Sequence, residues 1–445
     1  MIDLSAKKFG IVSLGCDKNR VDAEKLLSII KAAGCQITSD PAEAEVLIVN
    51  TCAFLNEARK EAIDTALECS AYRSENLEKL VVSGCLPQKY VDELFPSLIE
   101  ADVFLGTADC DRFFDALQKS YEGERVNFVG KGDNKYVPER LVTTPCHYAY
   151  LKIADGCNNH CTYCLIPKIR GKYVSYPMED LLKEAEGLGD VSELILVAQD
   201  VSRYGIDIYG KKYLVNFLKN LTACVNISSV RLLYCYPDMI DDELICEIRD
   251  NPKIVKYLDI PLQHSETRVL KLMNRRGTRE EYLALIKKLK REIPDIAIRS
   301  TFISGFPTET EEEFEAMCAF LEEAEFVNCG FFAYSREPET PAYKLKGQIP
   351  YVIKKKRVKR LYKVQRAVSA KFLSGLVGKE LEVVCDGIDY DNKCFIGRAY
   401  FNAPEIDGKV YFNAPNAVQG KKYSVKINAH NDYDLFGMTE DYDNE

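Results

Sequence analysis

The sequence predicts an α/β protein in three parts: an N-terminal parallel α/β sheet domain, a central partial (β/α) barrel, and a small C-terminal antiparallel β-barrel. Three observations lead there. Short apolar runs alternate with amphipathic helical stretches up to about Tyr121, and the same rhythm resumes on a longer scale after Arg140. Past Gly375 the helical period gives way to short β segments. At 445 residues the chain is too long for one compact core. The expected divisions are 1–122, a polar linker at 123–140, then 141–374 and 375–445.

In the first part, Phe9 to Leu14, Val46 to Val49, Leu80 to Val82 and Val103 to Leu105 read as strands. Val21 to Ala33, ending at Gly34, and Leu55 to Leu67 read as helices. Cys16, Cys52 and Cys85 each follow one of the first three strands, about one βα unit apart. In a parallel sheet they emerge on one edge, in the crevice beyond the carboxyl ends where open α/β folds bind ligands. A buried structural thiol explains any one of them. Three at equivalent strand ends point to an iron-sulfur site.

In the central part the expected strands are Tyr148 to Ile153, Glu193 to Ala198, Ser229 to Tyr234, Tyr257 to Pro261, Ile296 to Ile303 and Cys329 to Tyr334. Expected helices include Met178 to Gly187, Glu243 to Arg249, Arg268 to Met273, Glu280 to Arg291 and Glu311 to Ala324. Six such units make a partial barrel with its chemistry at the carboxyl ends of the strands.

The loop after the first of these strands carries Cys157, Cys161 and Cys164 in CxxxCxxC spacing. Three close thiolates hold one iron-sulfur cube through three irons and leave the fourth iron open for a ligand. A zinc knuckle is the alternative, but zinc sites usually come as paired CxxC or Cys/His sets. His160, adjacent to Cys161, is awkward for binding the same metal. Gln199 and Asp200 end the second strand, and Gln263 and His264 end the fourth. Arg299 leads into Ile303-Ser304-Gly305-Phe306-Pro307, whose glycine permits close approach by a ring. Arg170, just past the cysteines, is placed either to neutralise cluster charge or simply in a loop.

Composition agrees with metal or redox chemistry. The 17 cysteines are odd in number, and Met1 to Lys8 lacks a signal-peptide core. No apolar run is long enough for a bilayer, so no membrane partner and a cytoplasmic location with reduced thiols are expected. The net charge of −9 gives no global attraction to nucleic acid. Val352 to Phe372 reads as a basic helix with a solvated face. The segments Glu380 to Cys385, Cys394 to Tyr400, Lys409 to Phe412 and Tyr423 to Ile427 build the last barrel. From Leu376 onward, 7 Lys and Arg stand against 13 Asp and Glu, so this barrel suits a basic protein better than a phosphate backbone.

The cysteine-loop spacing, with Tyr163 before the last cysteine, resembles the radical S-adenosylmethionine (radical SAM) enzymes. Taken with the N-terminal cysteines and the terminal barrel, the whole chain resembles the methylthiotransferases, and within them the RimO type. The stretches that carry this are Gly15 to Asp22, Leu151 to Cys157, Ala198 to Gly205, Tyr257 to His264, and Ala403-Pro404-Glu405-Ile406-Asp407-Gly408. Asp17 and Asn402 depart from the usual proline and aspartate.

The resemblance implies a radical SAM core, a TRAM-like barrel, two 4Fe-4S clusters and S-adenosylmethionine. The cluster on Cys157, Cys161 and Cys164 would cleave S-adenosylmethionine to a 5′-deoxyadenosyl radical, which removes hydrogen from an aspartate. The cluster on Cys16, Cys52 and Cys85 would supply sulfur or present a methylated sulfur, and a second S-adenosylmethionine the methyl group. Tyr163, Gln199, Gln263, Arg299 and Gly305 would contact the cofactor. The implied substrate is the twelfth protein of the small ribosomal subunit, alone or within the subunit, and the implied reductant is flavodoxin or ferredoxin. The rival within the family is modification of a tRNA adenosine.

Overall fold

The computed structural model describes residues 3–132, 136–189, 191–224 and 227–443. Outside them lie positions 133–135 of the expected linker and the outermost two residues of the first and last expected domains.

Lys8–Ser13, Val46–Thr51 and Lys79–Gly84 are neighbouring parallel strands of a six-stranded sheet, with Gln36–Ile37 at one edge and Val103–Leu105 then Val126–Asn127 at the other. Val46–Thr51 is buried throughout, as expected of a parallel strand covered on both faces. The following helix runs over Asp17–Ala32 and starts earlier than the apolar period suggested. Its first turn is polar because Asp17 suits a helix N-terminus and because Lys18 and Asn19 are buried against other parts of the chain.

Described parts of the expected linker are tied into the fold. Val126–Asn127 extends the first sheet. Arg140, with a side chain 1 % exposed, pairs with Glu24 at 2.9 Å and Glu184 at 3.1 Å.

The second sheet is all parallel and open, in the spatial order Asn328–Ala333, Ala297–Ser304, Ile254–Asp259, Ser229–Leu232, Glu193–Val197, Tyr148–Lys152. Its strand order follows the chain, as in a barrel that stops short of closure. Capping boxes start two of its helices, Thr278 with Glu281 and Thr310 with Glu313. The helix Leu214–Ala223 was not among those expected from the sequence.

One face of the sheet packs on helices through Leu151, Leu194, Leu196, Leu232 and Leu258. The other, through Tyr148, Ile195, Val197, Leu233 and Tyr257, packs with Val21 and with Ala399, Phe401 and Ala403 of the terminal barrel. The long helix Tyr351–Ser374 lies along the edge strand. Its outer face is solvated as expected, but Lys354 and Arg357 are turned inward. Lys354 donates to the Tyr334 carbonyl at 2.9 Å, and Arg357 pairs with Glu309 at 2.6 Å.

The terminal barrel is closed by five strands, not four: Glu380–Asp389, Cys394–Arg398, Val410–Asn413, Leu435–Met438 and Lys422–His430. Nor is it purely antiparallel, since Val410–Asn413 and Leu435–Met438 run parallel. Among the described residues no helix is long and apolar enough to cross a membrane.

Candidate functional site

The loop after Tyr148–Lys152 is held from several sides. Gly156 sits at φ +71°, and a Cβ there would lie 2.1 Å from the Lys172 carbonyl oxygen, so only glycine fits. Thr162 donates its N–H to the Met273 carbonyl at 3.0 Å and its hydroxyl to the Leu272 carbonyl at 2.8 Å. Asn159 donates to buried Asp200 at 3.0 Å. His160 faces away from metal duty: it is exposed, its backbone is left-handed, and its carbonyl accepts from Asn274.

The three sulfurs of this loop meet donors suited to thiolates. The Asn159 N–H points at Cys157 Sγ, 3.5 Å away, and the Ile166 N–H at Cys164 Sγ, 3.4 Å away. Arg275 Nη1 lies 3.9 Å from Cys161 Sγ, with its guanidinium stacked over Tyr236. Burial pushes the Cys157 and Cys164 thiols above the usual range. Metal would have to displace those protons, and donors to sulfur are how a protein stabilises an iron-sulfur cluster.

The N-terminal cysteines lie where adjacent strands of the first sheet end. Cys16 immediately precedes the helix Asp17–Ala32, Cys52 follows Thr51, and Cys85 opens the helix Cys85–Ser97. Asn19 ties the three ends together. Its amide donates to the Leu14 and Thr51 carbonyls at 3.3 and 2.9 Å, and Cys85 Sγ lies 3.4 Å from its Oδ1. Gly15 is needed because a Cβ there would meet Cys52 Cβ at 2.9 Å. Cys16 is exposed and Cys85 buried, with burial pushing the Cys85 thiol up to about 11.

Among the described residues no three His, Cys, Asp or Glu groups converge tightly enough to hold a single metal ion. A cube does not need them to, because its thiolates bind different irons. The residues present suit such clusters: glycines leave room beside both triads, and donors face Cys157, Cys161 and Cys164 on one and Cys85, from Arg170 at 3.6 Å, on the other.

Tyr163 and Gln263 line a cavity of ≈ 100 Å³ together with Phe54 and Leu55 of the first domain and Thr301, Ile303 and Phe332 of the core. Gln263 is held at φ +74°, a strained conformation for a side-chain-bearing residue. Its N–H donates to the Thr301 carbonyl at 2.8 Å. Gln199 Oε1 is buried with no hydrogen-bond partner in the protein, an orphaned acceptor at a strand end.

The other two residues are engaged differently. The close approach expected at Gly305 exists, but the group that approaches is Lys354, whose Cγ would lie 2.4 Å from an added Cβ. Arg299 pairs with Asp259 at 2.9 Å and with Asp407 of the terminal barrel at 3.3 Å. The long helix thus packs at the first, and the barrel docks on the second.

His264 is fully buried between Glu309, 3.2 Å from its Nε2, and the Glu266 N–H, 3.0 Å from its Nδ1, a satisfied structural histidine. Sequence reasoning missed Tyr236 and Arg275, and named Asn19 only within the Gly15 to Asp22 stretch. Their roles rest mainly on partners far along the chain.

The motif Ala403 to Gly408 also docks the barrel. Asp407 accepts from Tyr257 Oη at 2.8 Å, and Glu405 pairs with Arg20 at 3.0 Å. Asp386 sits 2.6 Å from His147 Nε2. Three of the barrel's carboxylates are thus spent within the chain.

Comparison with known proteins gives one answer over the full length. The Radical SAM superfamily matches residues 151–321, the uncharacterized protein family UPF0004 residues 8–106, and the TRAM domain residues 377–439. The ribosomal protein uS12 methylthiotransferase RimO of Lachnoclostridium phytofermentans is 43 % identical, over 97 % of this chain and 100 % of the relative. That of Clostridium tetani is 45 % identical, over 98 % of each. Among solved structures, the radical S-adenosylmethionine methyltransferase TsrM of Kitasatospora setae aligns with TM-score 0.56 at 13 % identity, over 86 % of this chain and 81 % of that one. The cobalamin-dependent enzyme OxsB aligns with TM-score 0.53 at 12 % identity, over 82 % and 56 %. At such identities these two speak for the fold alone.

Proposed function

The chain belongs to the ribosomal protein uS12 methylthiotransferase family, and from that premise we propose that it adds a methylthio group to an aspartate of the twelfth protein of the small ribosomal subunit. The observation that supports a joint mechanism is a bridge from the segment just past one cysteine triad to a cysteine of the other. Arg170, on the loop of Cys157, Cys161 and Cys164, reaches Cys85 Sγ at 3.6 Å.

We assign one 4Fe-4S cluster to Cys157, Cys161 and Cys164 and a second to Cys16, Cys52 and Cys85. When bound, these groups and S-adenosylmethionine supply the electron transfer, the radical chemistry and the sulfur. The protein's own residues position and shelter. Gly156, Thr162 and Asn159 fix the loop. Tyr163 and Gln263 offer a part-apolar cavity for the cofactor, and the free Oε1 of Gln199 offers it an acceptor. Phe54 and Leu55, just past Cys52, bring the sulfur-bearing domain to the same cavity. Arg299 and Gly305 serve packing. The reductant is a small electron carrier of the flavodoxin or ferredoxin kind, and the site of action is the cytoplasm.

The acidic barrel supports a basic protein partner. Glu380, Glu382, Asp391, Asp432 and Asp441 are exposed on it, with Glu382 also paired to Lys422 and Asp432 to Arg366. The test is an anaerobic assay of the reconstituted protein with the ribosomal protein and with tRNA in parallel, read by mass spectrometry. A methylthio increment on the protein aspartate supports the proposal. An increment on tRNA alone sinks it.

A further inference from the structure

We propose that Arg170 is a positioning residue that holds the Cys85 sulfur and raises the reduction potential of the cluster on Cys16, Cys52 and Cys85, an inference that rests on the assignment of that cluster. The guanidinium is buried, its side chain 2 % exposed. Its partners come from both domains. Nη1 pairs with Asp155 at 2.9 Å, on the core side, two residues before Cys157. Nη2 pairs with Asp22 at 2.9 Å and donates to Asn19 Oδ1 at 2.5 Å, both on the first helix. The same Nη2 lies 3.6 Å from Cys85 Sγ.

Charge balance makes this arrangement sustainable. Lys152 is buried beside it, 2.9 Å from Asp155 and also paired with Asp22. Two cations and two carboxylates therefore sum to zero, and the guanidinium keeps its charge without water.

The geometry assigns the sulfur a specific donor. As a thiol, Cys85 donates its proton to Asn19 Oδ1 at 3.4 Å. As an iron-bound thiolate it has no proton to give, and Asn19 Oδ1 remains held by Arg170. The guanidinium N–H is then the charged donor facing the sulfur. A donor to a ligand sulfur favours the more negative, reduced cluster and raises its potential.

The test uses the full chain, anaerobically reconstituted with iron and sulfide, and reads potential and pulsed EPR. In a background with Cys157, Cys161 and Cys164 all replaced by alanine, only the N-terminal cluster remains, so its signal stands alone. There, Arg170→Gln with four irons retained is expected to titrate at a more negative potential than its parent, and Arg170→Lys to lie between the two. Growth on arginine labelled with nitrogen-15 in the guanidinium is expected to give a hyperfine coupling to the reduced cluster, lost in Arg170→Lys.

A parental potential in iron-replete Arg170→Gln overturns the proposal whatever the coupling. Absence of coupling in the parent overturns it whatever the potential. If Arg170→Gln fails to hold iron, the coupling decides alone. A parent background that binds no iron removes the cluster assignment itself, and this inference with it.

Discussion

Glu193 of the core and Arg398 of the terminal barrel form an ion pair of 2.6 Å, with side chains 4 % and 5 % exposed. Arg231 takes the other carboxylate oxygen. Burial alone would raise the Glu193 carboxyl, but Arg231 and Arg398 outweigh it and hold it at about 2. A folded value below the unfolded one stabilises the native state above roughly pH 4.3, and that stability is lost as pH falls toward 2. The size is about 3 kcal/mol at 1.36 kcal/mol per unit. Denaturant unfolding of the metal-free protein at pH 7, 4 and 3 checks this. Glu193→Gln is expected to lose roughly 3–5 kcal/mol at pH 7, since two buried guanidinium groups lose their counter-charge. It is also expected to show a flatter decline into acid than the parent.

Gly156 makes a second prediction. A side chain there meets the Lys172 carbonyl and must hold φ +71°. Gly156→Ala is expected to displace Cys157 and to lower reconstituted iron from about eight to about four per chain, the content of one cube. Stability falls by roughly 1–3 kcal/mol from backbone strain. Iron analysis beside EPR of the remaining cluster reads the result, and eight irons in the variant would refute the claim.

Gln199 and Gln263 are available to the cofactor in different ways. Gln199 has an unpaired buried acceptor, whereas Gln263 takes part in the sheet through its backbone. Gln199→Ala is therefore expected to weaken S-adenosylmethionine binding by about tenfold, near 1.4 kcal/mol for one lost hydrogen bond, with iron content and Tm unchanged. Equilibrium dialysis against the reconstituted protein measures it. Equal binding by variant and parent would leave Gln199 a structural residue.

The strand ends were legible because parallel strands buried on both faces read as apolar runs, and Cys16, Cys52 and Cys85 could be placed by counting units. What stayed hidden depends on partners distant in sequence. The fifth barrel strand, Leu435–Met438, is short and contains Gly437, where a Cβ would lie 2.4 Å from the Lys426 carbonyl oxygen. Without that neighbour the glycine reads as a turn. That Asp407 would engage Arg299 and Lys354 approach Gly305 is not legible locally, because both partners lie far along the chain. Sequence alone leaves Arg170 either neutralising its own loop's cluster or simply lying in a loop, and the fold turns it toward Cys85.

The Ala403 to Gly408 motif yields the last prediction, because docking and substrate contact make opposite demands on Asp407. Its carboxylate is engaged by Arg299 at 3.3 Å, Tyr257 Oη at 2.8 Å and the Ala403 N–H at 2.9 Å. Burial raises its pKa against the pull of Arg299. Such a group is spent on holding the barrel. Asp407→Ala leaves Arg299 and the Tyr257 hydroxyl short of a partner in a buried interface, at a cost of roughly 1–3 kcal/mol. Asp407→Asn keeps the shape and an acceptor, so it is expected to recover much of that loss. The KM for the ribosomal protein should stay within about twofold of the parent in Asp407→Asn, while hydrogen exchange at Tyr257 and Phe401 quickens in Asp407→Ala. A large rise in KM with unchanged Tm and exchange would instead place Asp407 against the substrate. The exposed acids of the barrel, not this motif, would then cease to be the first choice for recognising a basic protein.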